Sequence, residues 1–225
     1  MLRSLPSRSL LWLGIAAPVL FLGIALGLGA IRPGYDAIRQ YVSLLSLGPG
    51  GWVQIANFVV SGILVAGFGV GLRRAWPVGA GSRWAPRLIV LAGAGLFLSG
   101  VFVTDPAQGY PAGAPAGLPM DASWHAGIHY LGALLVFAGL PAAMVVASRR
   151  LETPSGRIWR AYCLASALVM LGSWLATFAF PGTGGMPAIA GLLQRIAVAA
   201  GFQWLAVTAA IELARPALAA EPAFA

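Results

Sequence analysis

The chain has 225 residues, of which 59% are hydrophobic and 9% are charged, and its mean hydropathy is +0.84. A soluble domain carries about 25% charged residues. The composition therefore excludes a soluble globule and predicts an integral membrane protein. The net charge of +8 would favour a nucleic-acid partner in a soluble domain. Here the basic residues lie between apolar segments, so no nucleic acid is predicted as a partner.

Six apolar segments approach the ~20 residues that an α-helix needs to cross a bilayer. Backbone polar groups in hydrocarbon must be paired internally, which favours helices. The predicted spans are Leu10–Ile31, Val53–Leu72, Leu88–Thr104, His125–Ala147, Ala161–Phe180 and Leu192–Ala214. The first exceeds the ~7–15 residues of a cleavable signal core, so it is interpreted as a retained helix. We predict an all-α bundle of six transmembrane helices that forms a single membrane domain over residues 1–225.

All fourteen basic residues are arginine, and they divide unevenly when the spans alternate across a bilayer. Eleven fall on the side of the N-terminus; Arg32, Arg39 and Arg195 fall on the other side. Short loops rich in arginine stay in the cytoplasm. Both termini are therefore predicted to be cytoplasmic, and the arginines are expected to attract membrane lipids.

The first outer loop contains a helix-like pattern within a segment rich in Gly and Pro. Apolar residues recur at helical spacing over Tyr35–Leu47, which predicts a short amphipathic helix in the outer interface. Inside the spans, small residues recur four positions apart. The pairs are Gly23 with Gly27, Gly67 with Gly71, and Gly95 with Ser99. They predict close helix contacts within the bundle or between protomers, so a homo-oligomer is possible.

His125 and His129 are the only histidines in the chain. Four residues apart on a helix, they project from one face and can reach one ion. With Asp105, which closes the preceding span, they could bind a divalent metal such as zinc and leave a position for water. The same residues could form an acid–base pocket without metal, or a purely structural cluster. Haem is not favoured, because two histidines on one helical face cannot clamp it from both sides.

Other polar residues lie at similar depth in the outer half of the spans. Ser43 is a candidate nucleophile or hydrogen-bond donor, and with Asp105, His125 and His129 it completes the candidate catalytic set. Arg195 is expected to turn inward, where it would pair with an Asp or hold an anionic headgroup or phosphate. The candidate substrate-binding residues are Arg195, Asp36, Arg39, Asn57 and Gln194.

Several short motifs occur in a fixed order along the chain. They are Pro33-Gly34-Tyr35-Asp36, Tyr41-Val42-Ser43, Gly48-Pro49-Gly50-Gly51-Trp52, Thr104-Asp105-Pro106, and His125 with His129. Together they resemble the bacterial membrane protein family called domain of unknown function 998, from the first span to the sixth. The resemblance implies a multi-pass protein of the bacterial cytoplasmic (inner) membrane. Family members often carry an acidic residue directly after the serine, where this chain has Leu44.

A weaker similarity connects the chain with the alkaline ceramidases and adiponectin receptors. Those transmembrane zinc hydrolases use Ser, Asp and three His residues. Ser43, Asp105, His125 and His129 match four of the five by type, while the third histidine and a seventh span are absent from this chain. The similarity implies hydrolytic chemistry on a lipid as one hypothesis.

The sequence supports two functions. In the first, the protein is a membrane-embedded enzyme that acts from the outer side on a lipid or apolar small molecule, by metal-assisted or acid–base chemistry. In the second, it is a non-enzymatic membrane component: a carrier, a lipid-binding accessory or a subunit of a complex. The absence of a complete catalytic motif leaves both open.

Overall fold

The computed structural model describes residues 7–119, 121–150, 154–179 and 188–215. Six α-helices form this part of the chain, and each is long and apolar enough to cross a membrane. They are α1 (Ser7–Ile31), α2 (Trp52–Ala75), α3 (Trp84–Val101), α4 (Trp124–Ala147), α5 (Pro154–Ala179) and α6 (Ala190–Ala214). The described residues contain no β-strand, apart from one isolated β-bridge between Ala107 and Tyr110. The predicted all-α six-helix fold is confirmed. Phe180, the last residue of the predicted fifth span, lies outside the described residues.

The helices form a closed ring, since each packs against its neighbour in the chain and α6 also packs against α1. Arg8 Nη2 donates a hydrogen bond to the Leu213 carbonyl at 2.9 Å. The start of α1 and the end of α6 therefore meet at one end of the bundle, which we call the terminal end. The opposite end, called the loop end, carries segments 32–51, 102–119 and 121–123.

Small residues bring neighbouring helices into backbone contact. A Cβ placed on Gly95 of α3 would lie 2.5 Å from the Gly132 carbonyl oxygen of α4, and one placed on Gly71 of α2 would lie 2.6 Å from Leu10 Cβ. These positions admit only glycine without a shift of the backbone, as expected for membrane helices that associate by close packing. The prediction for the pair Gly23 and Gly27 is not confirmed within the bundle, because both face open space. Contact between protomers stays a prediction.

The middle of the first loop folds into the bundle, while the residues on both sides of it include exposed ones. Within it, Val42–Ser46 forms a five-residue 3-10 helix whose residues are all buried. This 3-10 helix contacts α1, α2 and α6. The prediction of an amphipathic helix in the outer interface is therefore wrong, because an amphipathic helix would keep one face in contact with headgroups and water. The loop instead closes the loop end from within.

The arginine distribution predicts which end of the bundle faces outward. Ala116 at the loop end and Ala80 in the α2–α3 connection are both exposed, and the native Cys163 is fully buried. In intact cells, a membrane-impermeant maleimide is expected to label Ala116→Cys and to leave Ala80→Cys unlabelled until the cells are lysed. Labelling in the reverse order would contradict cytoplasmic termini.

Candidate functional site: a histidine-anchored chamber at the loop end

His129 caps the end of α3. That helix ends at Val101, three residues before the predicted Thr104. The Phe102 amide donates to the Leu98 carbonyl at 2.9 Å, and the carbonyls after Leu98 have no backbone donor among the described residues. His129 Nδ1 lies 2.9 Å from the Ser99 carbonyl oxygen and 3.0 Å from that of Phe102. A carbonyl oxygen can only accept, so Nδ1 carries the hydrogen. In the neutral ring Nε2 is then an acceptor.

His125 has a related role one turn earlier in α4. Its Nδ1 lies 2.9 Å from the Val103 carbonyl oxygen and 3.1 Å from Ser123 Oγ. Ser123 is the N-cap of α4 and accepts a hydrogen bond from the Ala126 amide at 3.2 Å, as small hydroxyl residues commonly do at this position. The two histidines therefore join the end of α3 to the start of α4.

Asp105 completes this junction. Its Oδ1 accepts from Ser123 Oγ at 2.7 Å, and its Oδ2 accepts from the Ser123 amide at 2.8 Å. Partial burial raises the pKa of Asp105, but the two hydrogen bonds from Ser123 and the nearby His125 ring outweigh it, so the net pKa lies below its ordinary value. The carboxylate is thereby committed to the helix cap.

His129 also lines a chamber in the half of the bundle nearer the loop end. The chamber consists of two cavities, of about 260 Å³ and about 40 Å³, that share five lining residues. The shared residues are Ser43, His129, Ala133, Phe137 and Gln194. The larger cavity extends between α4 and α5, where Trp174 and Phe178 form its wall. Most of the lining is apolar, as in many small-molecule sites.

The chamber wall has few polar groups, and several of them have a donor or an acceptor that forms no hydrogen bond in the described part of the chain. His129 Nε2 and Ser43 Oγ form no hydrogen bond within the described structure, and Gln194 uses its Oε1 to accept from the Val42 amide at 2.8 Å. Tyr41 Oη is buried near the Thr177 side chain and makes no hydrogen bond of normal geometry among the described residues. Burial raises the pKa of Tyr41 to about 12, so the phenol stays a hydrogen-bond donor. These groups converge on the same space.

The predicted metal ligands do not assemble into one site. Within the described ranges, no group of three or more His, Cys, Asp and Glu side chains is placed to hold a metal ion. Asp105 is held by Ser123, and both histidines use Nδ1 for carbonyls of the α3 end. Their Nε2 atoms remain open to a ligand, but this part of the chain supplies no third donor. The metal prediction stays untested and has no support from this geometry.

The Arg195 side chain turns toward the first loop and donates hydrogen bonds to its backbone carbonyls. Its Nη1 donates to the carbonyls of Ala37 at 2.6 Å and Gln40 at 2.9 Å, and its Nη2 donates to Tyr35 Oη at 2.5 Å. It lines a groove between α1 and α6 that shares Phe21, Val42 and Val198 with the smaller chamber cavity but does not include His129, Ser43 or Gln194. Neither it, Asp105 nor His125 lines the chamber, so the expectation of one pocket shared by all four residues requires correction.

The other candidate binding residues are also dispersed. Asp36 and Arg39 are exposed, and Asp36 Oδ1 accepts from the Ile38 amide at 2.9 Å in a local turn. Asn57 is buried in α2, where its Nδ2 donates to the Phe21 carbonyl of α1 at 3.1 Å. It therefore joins two helices. Of the five predicted substrate-binding residues, Gln194 alone lines the chamber.

Sequence reasoning missed the chamber's aromatic wall. In the sequence, Tyr41, Trp174 and Phe178 are typical apolar or interfacial residues, since their type does not distinguish them from the rest of a hydrophobic segment. Phe137 stacks on Trp174 with ring centroids 5.3 Å apart, and Phe178 meets Trp174 edge to face at 5.6 Å. The available signal was the helical spacing of Trp174 and Phe178 on one face of α5.

A ring of six membrane-length helices with a chamber near one end defines a polytopic α-helical membrane protein. Residues 15–211 match the family described as "Protein of unknown function (DUF998)". The match covers most of the chain, which therefore belongs to this family, and the resemblance carried by the loop motifs is confirmed. No curated protein and no solved structure gave a significant match.

The junction between Asp105 and Ser123 predicts a pH-dependent contribution to stability. A carboxylate with a lowered folded pKa stabilises the protein above its unfolded pKa of about 3.9, and that stabilisation is lost as pH falls through the folded value. Asp105→Asn is expected to lower the free energy of unfolding at pH 7 by about 1 kcal/mol or less, because solvent screens the carboxylate. The difference from the parent protein is expected to shrink below pH 4.

Thermal unfolding in detergent between pH 3 and pH 7 measures this difference. Asp121→Asn is the matched control, since it removes an exposed carboxylate from the same segment and is expected to have no comparable effect. A difference between Asp105→Asn and the parent that stays constant over this range would contradict the assigned junction.

Proposed function

We propose that the protein is an integral-membrane enzyme that binds an apolar molecule in the chamber, and that His129 performs acid–base chemistry on the polar group of that molecule. The observation that supports the proposal is that one nitrogen of the His129 ring is hydrogen-bonded within the described residues and the other is not. Nδ1 is anchored to the Ser99 and Phe102 carbonyls, while Nε2 is left without a partner on a wall that also carries Ser43 and Gln194.

The chamber's lining supports a particular class of ligand. An apolar chain gains little on leaving lipid for an apolar cavity, since acyl chains and aliphatic side chains are similarly apolar. Hydrogen bonds to the polar group therefore decide which molecule binds. The wall offers donors at Tyr41, Ser43 and Gln194 and an acceptor at His129 Nε2. No charged side chain is among the residues that line the two cavities, which favours an uncharged group such as an ester, amide or alcohol.

The proposed chemistry uses Nε2 for proton transfer and Nδ1–H to hold the ring. Nε2 takes a proton from water or from the Ser43 hydroxyl as that oxygen attacks the ligand, and it then returns the proton to the leaving group. The carbonyls of Ser99 and Phe102 orient the ring through Nδ1–H and stabilise the positive charge that develops on it. A carboxylate has this role in a serine-protease triad. Tyr41 Oη is a donor for the oxygen on which negative charge develops.

The paired variants His129→Asn and His125→Asn test the proposal. The asparagine amide nitrogen is as many bonds from Cα as Nδ1, so each variant keeps a donor toward the α3 carbonyls, while only His129→Asn removes an acceptor from the chamber. Turnover is expected to fall about 10²–10⁴-fold in His129→Asn, the usual loss of a general base, and to change little in His125→Asn. The measurement is mass spectrometry of products from a bacterial membrane-lipid extract incubated with purified protein. Equal turnover in the two variants would overturn the role of His129.

A non-enzymatic carrier or lipid-binding accessory is the second candidate. It is favoured by one observation: the partners of His129 Nδ1 are backbone carbonyls, and no carboxylate supports the ring. Ala133→Phe, which fills the chamber, separates the candidates when compared with Leu134→Phe, its exposed neighbour. A carrier is expected to release a copurifying apolar compound in Ala133→Phe alone, with no turnover by the parent protein.

The location that suits either candidate is the bacterial cytoplasmic membrane, with the loop end outward.

A further inference from the structure

A second apolar cavity lies on the outside of the bundle, between α1 and α6. This groove has a volume of about 330 Å³. Its walls include Leu22 and Leu26 of α1 and Leu192, Ile196 and Ala199 of α6. Leu26, Leu192 and Ile196 are exposed, so the groove opens toward the space that lipid occupies around a membrane protein. Its shape and lining suit an acyl chain.

Arg195 is the one charged residue among those that line the groove. It lies five residues into α6, about 8 Å along the helix axis, on the side of the loop end. Its Nη1 donates to three carbonyls, those of Ala37, Gln40 and Gly191, and its Nη2 donates to Tyr35 Oη. A guanidinium has five N–H donors. The N–H of Nε and one N–H of Nη2 therefore remain without a partner in the described structure.

The positive charge of Arg195 has no counter-ion within the described residues. The ion pair found there joins Arg215 to Glu212 near the terminal end. Asp36, close to Arg195 in the fold, uses Oδ1 for the amides of Ile38 and Arg39. A carbonyl satisfies an N–H donor but does not neutralise a cation. A charge at this depth is costly unless an anion accompanies it, and arginine pairs especially well with phosphate.

We propose that this groove binds one anionic phospholipid, with an acyl chain between α1 and α6 and the headgroup phosphate on the free donors of Arg195. Tyr35 and the loop carbonyls hold the guanidinium in place before the lipid arrives, which reduces the ordering cost of binding. The lipid in turn neutralises the charge on which the loop is assembled. Although the groove shares Phe21, Val42 and Val198 with the smaller chamber cavity, Arg195 does not line the chamber and no step of the proposed chemistry uses it.

Native mass spectrometry of the purified chain, with phosphatidylglycerol and phosphatidylcholine of identical acyl chains as probes, tests this site. The parent protein is expected to retain one phosphatidylglycerol at concentrations where phosphatidylcholine dissociates. Arg195→Gln is expected to weaken phosphatidylglycerol about tenfold or more. Arg39→Gln is the matched control, since it removes an exposed arginine from the same end of the bundle and is expected to leave the preference unchanged.

A second pair of variants tests the groove without touching the cation. Ala199→Trp fills the groove, and Ala210→Trp places the same side chain on an exposed position of α6 outside it. Loss of phosphatidylglycerol from Ala199→Trp alone supports the proposal even if Arg195→Gln does not fold. Equal retention by both tryptophan variants would overturn it. Displacement of the lipid by millimolar inorganic phosphate would also overturn it, because a free anion would then be the ligand.

Discussion

The carbonyl groups at the end of α3 impose the constraint around which the loop end of this bundle is built. α3 has 18 residues and ends at Val101, and a helix end leaves carbonyls that need donors from elsewhere, because an unpaired polar group is costly where water does not reach it. The imidazoles of His125 and His129 supply the missing donors from the next helix. Since both histidines project from one face of α4, the same contact sets the register of α4 against α3. The close approach of Gly95 to Gly132 along that pair then follows from the helix packing.

Because of this constraint, the two ring nitrogens of His129 lie in different environments. Nδ1 donates to the backbone carbonyls of Ser99 and Phe102, while Nε2 faces a mainly apolar chamber with a few hydrogen-bonding groups. In the proposed function, Nδ1 has a structural role and Nε2 a chemical one, and the anchored Nδ1 holds the ring in a single orientation. His125 has the first role alone, because it lies outside the chamber lining. Arg195 follows the same principle on the other side of the loop: it anchors the first loop through carbonyls and keeps two donors for a ligand.

The six spans could be predicted from the sequence because length and hydropathy alone determine whether a helix crosses a bilayer. The family could be predicted from the loop motifs. The buried 3-10 helix over Val42–Ser46 could not, since the depth of a loop depends on its contacts with α1, α2 and α6. The positions of Asp105, His125 and Arg195 outside the chamber could not be predicted for a related reason. Their hydrogen-bond partners are mainly backbone groups and the helix N-cap Ser123, and the sequence pattern does not indicate such contacts. Ser43, His129 and Gln194 line one chamber, and the sequence predicts all three near one membrane surface; their role in a site stays a prediction.

¹⁵N NMR of histidine-labelled protein in detergent or nanodiscs determines directly which ring nitrogen of His129 carries the hydrogen. The chain contains two histidines, so His125→Asn assigns the remaining signals without ambiguity. At neutral pH the account predicts a neutral His129 ring with the hydrogen on Nδ1 and a bare Nε2. A hydrogen on Nε2 with a bare Nδ1 would contradict both the cap on α3 and the acceptor in the chamber.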